Sequence, residues 1–134
     1  IAEQLVSANV FTVDVDKTSA AANGDTKCGV TNWLGVDVCN YSSTLPSDPV
    51  NKSTTIAGTA GNNGCTADTT ASADAYYYFS YDSASNTYEV GTVQESVSGC
   101  DRLTGDGGNS DSMVEVGTTG TFDVIGDPSN FVAN

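Results

Sequence analysis

The chain has no histidine, and its 134 residues carry only four lysines and arginines against 17 acidic side chains. Without imidazole there is no ordinary Ser-His or Cys-His pair for nucleophilic catalysis, and a zinc site would have to be built from thiolates alone. The scarcity of cations is equally restrictive. A formal net charge of −13 repels phosphates and anionic headgroups, so nucleic acid is excluded as a partner, while divalent cations and basic surfaces are favoured. The same acidic exterior, rich in Ser, Thr, Gly and Asn, also suits a secreted or salt-adapted protein that needs no partner at all. No phosphate-cradling glycine loop, nucleophile elbow or dinucleotide fingerprint occurs. No leader peptide or membrane-length apolar run is visible, and the first residue is Ile1, so the expectation is that an upstream segment has been removed.

What remains is one small domain, residues 1–134, because 38% hydrophobic content over this length buries a single modest core. Paired carboxylates are the one catalytic device the composition permits. Only four of the 17 acids are glutamates, and none lies in an apolar setting of the kind that raises a carboxyl pKa, so the chain is expected not to be an enzyme. Glu89 and Glu95 read as surface or helix-facing polar contacts.

The four cysteines, Cys28, Cys39, Cys65 and Cys100, are even in number and lack CxxC spacing, which argues for disulfides and an oxidising compartment. Three pairings are possible. Cys28 with Cys39 and Cys65 with Cys100 is the favoured one, since the first closes a local loop and the second ties a Gly/Asn-rich loop to the far end of a hairpin. On chain entropy these bonds contribute roughly 3 and 4 kcal/mol.

That hairpin is the strongest architectural signal. In 75–96, AYYYFSYDSASNTYEVGTVQES, Tyr76, Tyr78 and Ser80 fall on one face of a strand and Tyr77, Phe79 and Tyr81 on the other. Asp82 to Asn86 supply turn chemistry, and Tyr88 and Val90 alternate with Glu89 and Gly91 on the return strand. Upstream, Ile1, Leu5, Val6 and Val10 have near-helical spacing and read as the tail end of a helix. Phe11 to Asp16 alternates like a short strand, and Thr18 to Thr26 reads as a polar linker. CGVTNWLGVDVC has a hydrophobic side in Trp33, Leu34, Val36 and Val38 and is expected to fold back as a flap, with Trp33 a core plug. Lys52 to Ala73 reads as a surface loop anchored by Cys65, and Gly117 to Asn134 as a further edge strand. Asn40 and Asn51 open N-x-S sequons, which imply surface exposure and nothing further.

The order of these features resembles the globular domain of type IV pilins and type II secretion pseudopilins. The elements are a helix tail, a variable loop region, Pro46-Asp48-Pro49, a Tyr-x-Tyr strand (Tyr76, Tyr78), and Tyr88-x-Val90 followed by Glu95. The run DGGNSDSMVEVGT, Asp106 to Thr118, is similar to the family's C-terminal loop and strand. The family's hydrophobic N-terminal helix and cleavage motif are missing here, Gln94 replaces a usual aliphatic, and two disulfides and the Lys52 to Ala73 loop are additions.

The resemblance implies a non-catalytic, extracellular structural subunit whose sheet packs on a helix. It would lie on the periplasmic side of the inner membrane before assembly and at the cell surface afterwards. Partners would be other subunits, engaged through the missing helix, which would also be the only contact with the inner membrane; the chain as it stands would be a monomer. The alternative is a secreted β-rich binding or adhesion module.

Separately, Asp101, Asp106, Asn109 and Asp111 set hard oxygen donors among flexible glycines, a donor set suited to calcium although the spacing is not that of an EF-hand; the alternative is a solvated Gly/Asp turn whose carboxylates only keep the loop soluble. By resemblance, Asp106, Asn109 and Asp111 match positions at which some pseudopilins hold calcium. The expected fold is α+β: a short N-terminal helix packed on an antiparallel sheet of about four strands, with two disulfides and long loops.

Overall fold

In the computed structural model, residues 1–49, 51–55, 72–93 and 113–118 are described. In chain order they form α1 (Ala2–Ser7), β1 (Val15–Thr18), a single 3-10 turn (Ala21–Asn23), β2 (Lys52–Thr55), β3 (Ser72–Ala75), β4 (Tyr77–Asp82), β5 (Thr87–Val93) and β6 (Met113–Gly117). A four-stranded antiparallel sheet has the order β1-β4-β5-β6, and β2 and β3 pair in a separate two-stranded ribbon. The architecture is therefore α+β, with a short N-terminal helix and four strands in the main sheet. Among the described residues no helix is long and apolar enough to cross a membrane.

The hairpin forms where the aromatic alternation and its turn indicate. Asp82 accepts hydrogen bonds from Ala84 N (2.8 Å) and Ser85 Oγ (2.8 Å), and Asn86 takes a φ of 56°, the left-handed conformation that Asn tolerates. Phe79 then stands opposite Val90 and Ser80 opposite Glu89. Because side chains alternate across a strand, this register gives the sheet two unlike faces.

On the first face, Phe79, Tyr81, Tyr88 and Val90 meet the core of Leu5, Val6, Phe11, Trp33, Leu34, Val38 and Leu45. Helix α1 packs here, against β5. It stops after one and a half turns because Asn9 enters the left-handed region at φ 52°. Asn9 N then reaches Val6 O (2.9 Å) and Val10 N reaches Leu5 O (3.0 Å), which satisfies the last helical carbonyls in a Schellman arrangement. Phe11 lies between Phe79 and Tyr81, with ring centroids 5.2 and 5.4 Å apart.

The second face carries Tyr78, Ser80, Glu89, Met113 and Glu115, all buried. Glu89 and Glu115 both have zero exposure, so the expectation that Glu89 is a surface or helix-facing contact is corrected: it points away from the helix and into the protein. β6 closes up beside it because Gly117 has no side chain; a Cβ there would collide with the Tyr88 carbonyl. Thr118 N donates to that carbonyl (3.0 Å) and its hydroxyl accepts from Tyr88 N (3.0 Å).

Three further expectations change. The strand expected over Phe11 to Asp16 is shifted to Val15–Thr18, because Phe11 leaves the strand path to fill the core and Asp14 is drawn to the hairpin turn. Thr18, Ser19 and Ala20 are buried and are no linker: Ser19 N donates to Tyr77 O (2.8 Å), while its Oγ accepts from Tyr77 N (2.9 Å) and donates to Asn51 Oδ1 (2.8 Å). The segment read as a surface loop, Lys52 to Ala73, begins and ends in strand, since Lys52 to Thr55 pairs with Ser72 to Ala75. Gly117 closes β6; the rest of the expected C-terminal strand, from residue 119, lies outside the described residues.

Candidate functional site

The Cys28–Cys39 bond forms, with an S–S distance of 2.02 Å, and closes the loop that the sequence marks as a flap. The loop has no regular ladder, so its backbone groups need side-chain partners. Asn32, with 1% exposure, supplies them. Its Nδ2 donates to Val36 O (2.7 Å) and Cys28 O (3.3 Å), and its Oδ1 accepts from Leu34 N (3.0 Å) and Gly35 N (2.9 Å). Asp25 and Asp37 organise the flanks by accepting from Lys27 N and Cys39 N, both at 2.9 Å. The Lys27–Asp25 ion pair, at 3.7 Å with the lysine 83% exposed, adds little to this.

So braced, the loop drives Trp33, Leu34 and Val38 into the core, and Trp33 Nε1 donates to Pro46 O at 3.0 Å. The tryptophan is a core plug, as its setting in the sequence suggests. Between loop, helix and sheet there remains a half-open apolar cleft of about 100 Å³, whose walls include Ala2, Trp33, Leu45, Tyr77, Phe79 and Val90. Its described walls are apolar, which suits an apolar group held by exclusion of water.

Among the described residues, two ionisable groups with perturbed acidity, Asp14 and Tyr88, lie beside the hairpin and on β5. Hydrogen bonds from the Ser83 hydroxyl (2.7 Å) and backbone N–H (2.9 Å) hold the Asp14 carboxyl below the usual aspartate value. Partial burial, with the negative charge of Glu3 adding to it, pushes the Tyr88 phenol up. Among the described residues, no three His, Cys, Asp or Glu side chains converge in a way that could hold a metal ion. The expected calcium donors Asp101, Asp106, Asn109 and Asp111 and the expected Cys65–Cys100 bond lie outside the described residues.

Two features have no clear signal in the sequence. Asn32 could have been noticed as an Asx-turn former two residues before Leu34 in a cysteine-closed loop, but its burial has no sequence signal. The burial of Glu89 and Glu115 has none either, because alternation with Tyr88 and Val90 reads as solvent on the other face. No family model, curated protein or solved structure matches the chain.

Proposed function

We propose that this domain is the non-catalytic head of a structural subunit of an extracellular filament, of the type IV pilus or pseudopilus kind. The supporting observation is α1 lying against β5 on the apolar face of a four-stranded antiparallel sheet, with the exposed Ile1 at the helix start. That placement suits a domain whose work is mechanical. One end of the helix is fixed to the sheet by the buried Leu5 and Val6. In this reading assembly runs through hydrophobic helix preceding α1, the inner membrane is met only through that helix, and the isolated domain is a monomer. The acidic surface, at −13, keeps such heads soluble and apart.

A second reading, a secreted β-rich binding or adhesion module, is favoured by the half-open cleft beside Trp33. An antibody raised against the folded domain separates the two. Immunogold electron microscopy of material sheared from the source cells is expected to label filaments along their length. Antigen found only as free protein in the medium would contradict the filament reading and favour the module.

A further inference from the structure

The two sequons, Asn40-Tyr41-Ser42 and Asn51-Lys52-Ser53, are equivalent as patterns, but the fold makes them unlike. Asn40 is exposed at the apex of a turn directly after the Cys28–Cys39 bond. Tyr41 N and Ser42 N both donate to Val38 O, at 2.8 and 2.9 Å, so the turn is formed by backbone alone. The Asn40 carboxamide is engaged by no other described group, and Ser42 Oγ makes local bonds to Thr44 alone, donating to its O (2.6 Å) and accepting from its N (3.4 Å), at the surface.

Asn51 is tied down instead. Its Oδ1 accepts from Ser19 Oγ (2.8 Å), its backbone N–H donates to Asp48 Oδ1 (3.3 Å), and Ser19 is 2% exposed at the β1–β4 joint. The rest of that sequon, Lys52 and Ser53, is strand backbone in register with Ala75 and Asp74. An acceptor asparagine must be free to enter a transferase with its hydroxyl partner bent towards it, which a surface turn allows and a paired strand does not.

We infer that Asn40 is an N-glycan acceptor and that Asn51 is not. In the transfer, Asn40 Nδ2 attacks the anomeric carbon of a lipid-phosphate-linked oligosaccharide. The new C–N bond forms as the anomeric C–O bond breaks, the lipid phosphate leaves with the electron pair, and the transferase takes one amide proton. The substrate class is thus an activated, lipid-carried sugar. The inference shares with the filament proposal only the requirement for export, and does not need polymerisation.

The test uses protein purified from its native source. After reduction, cleavage at Lys27 and Lys52 gives one peptide, 28–52, that carries both asparagines, and a second cut after Tyr41 separates them. Fragmentation that preserves glycan bonds is expected to show sugar mass increments on Asn40 and none on Asn51. Asn40→Gln is expected to remove the increment and Ser42→Thr to keep it, with both variants melting as the parent does. A bare Asn40, or a glycan on Asn51 at equal occupancy, would overturn the inference. A bare Asn40 in filament-assembled protein would do so while leaving the filament proposal intact.

Discussion

Replacing Asn32 by alanine removes four hydrogen bonds from the disulfide loop, but their loss is not equal. Gly35 N also donates to the Asn32 main-chain carbonyl (2.9 Å), and Cys28 O still accepts from Val38 N (2.8 Å), so those two groups keep a partner. Leu34 N and Val36 O do not keep one among the described residues. A buried orphan costs about 1–3 kcal/mol and a half-exposed one about 1, so Asn32→Ala is expected to lose about 3 kcal/mol. For a domain of this size that is roughly 10 °C in Tm. Urea unfolding followed by the emission of Trp33, the only tryptophan, reads the loop directly.

Asn32→Asp sharpens the test. It keeps an acceptor for Leu34 N and Gly35 N but turns a carboxylate oxygen towards the carbonyls of Val36 and Cys28. That raises the folded-state pKa of the new acid, because its protonated form is the one that can donate. The stability it permits is therefore present below the unfolded value of about 4 and lost as pH rises through the higher folded value. The variant is expected to be less stable than Asn32→Ala at pH 7 and to recover on acidification. A loss under about 1 kcal/mol for the alanine variant, or a pH-independent aspartate variant, would refute the reasoning.

Removing the crosslink with Cys28→Ser and Cys39→Ser is expected to cost about 3 kcal/mol for this 11-residue separation, measured by the same urea titration; a loss under about 1 kcal/mol would show that the loop is held by packing alone. Asp14 has a depressed folded pKa, so its contribution to stability is present above the ordinary value of 3.8 and lost as pH falls through the lower folded value; Asp14→Asn is expected to flatten that part of the pH–Tm curve. Tyr88, raised above 10.0, acts in the opposite range: its contribution is complete below pH 10 and lost as pH rises through the folded value, which absorbance at the phenolate band should track. The calcium reading of Asp101, Asp106, Asn109 and Asp111 predicts a stabilisation of about 2.7 kcal/mol at 100 times the Kd, with the gain absent in Asp106→Asn/Asp111→Asn; an unchanged Tm in millimolar calcium would leave the solvated Gly/Asp turn as the reading.

The hairpin β4–β5 was legible because rings alternate on both sides of a turn whose Asp, Ser and Asn residues act locally. The helix was legible because Leu5 and Val6 share its apolar face, but its end was not: Val10 fits the helical spacing, whereas Asn9 turns left-handed and α1 stops at Ser7. The failures come where long-range partners override a local pattern. Phe11 belongs to an alternating run but is taken by Phe79 and Tyr81, and this moves β1 by four residues at its start. β2 and β3 lack large apolar residues, so no periodicity marks their pairing. Glu89 shows polarity in the sequence, whereas its burial depends on what packs across the sheet face. At the loop, the short separation of Cys28 and Cys39 was informative, while the work of Asn32 depends on a fold-back that composition does not encode.

The most direct measurement is the sequence of the residues immediately preceding Ile1, read from the intact precursor or by mass spectrometry of the assembled cellular material. A filament subunit requires about 20 apolar residues continuous with α1, preceded by a short basic leader. A conventional signal peptide cleaved just before Ile1 would contradict the filament reading and leave a secreted binding module.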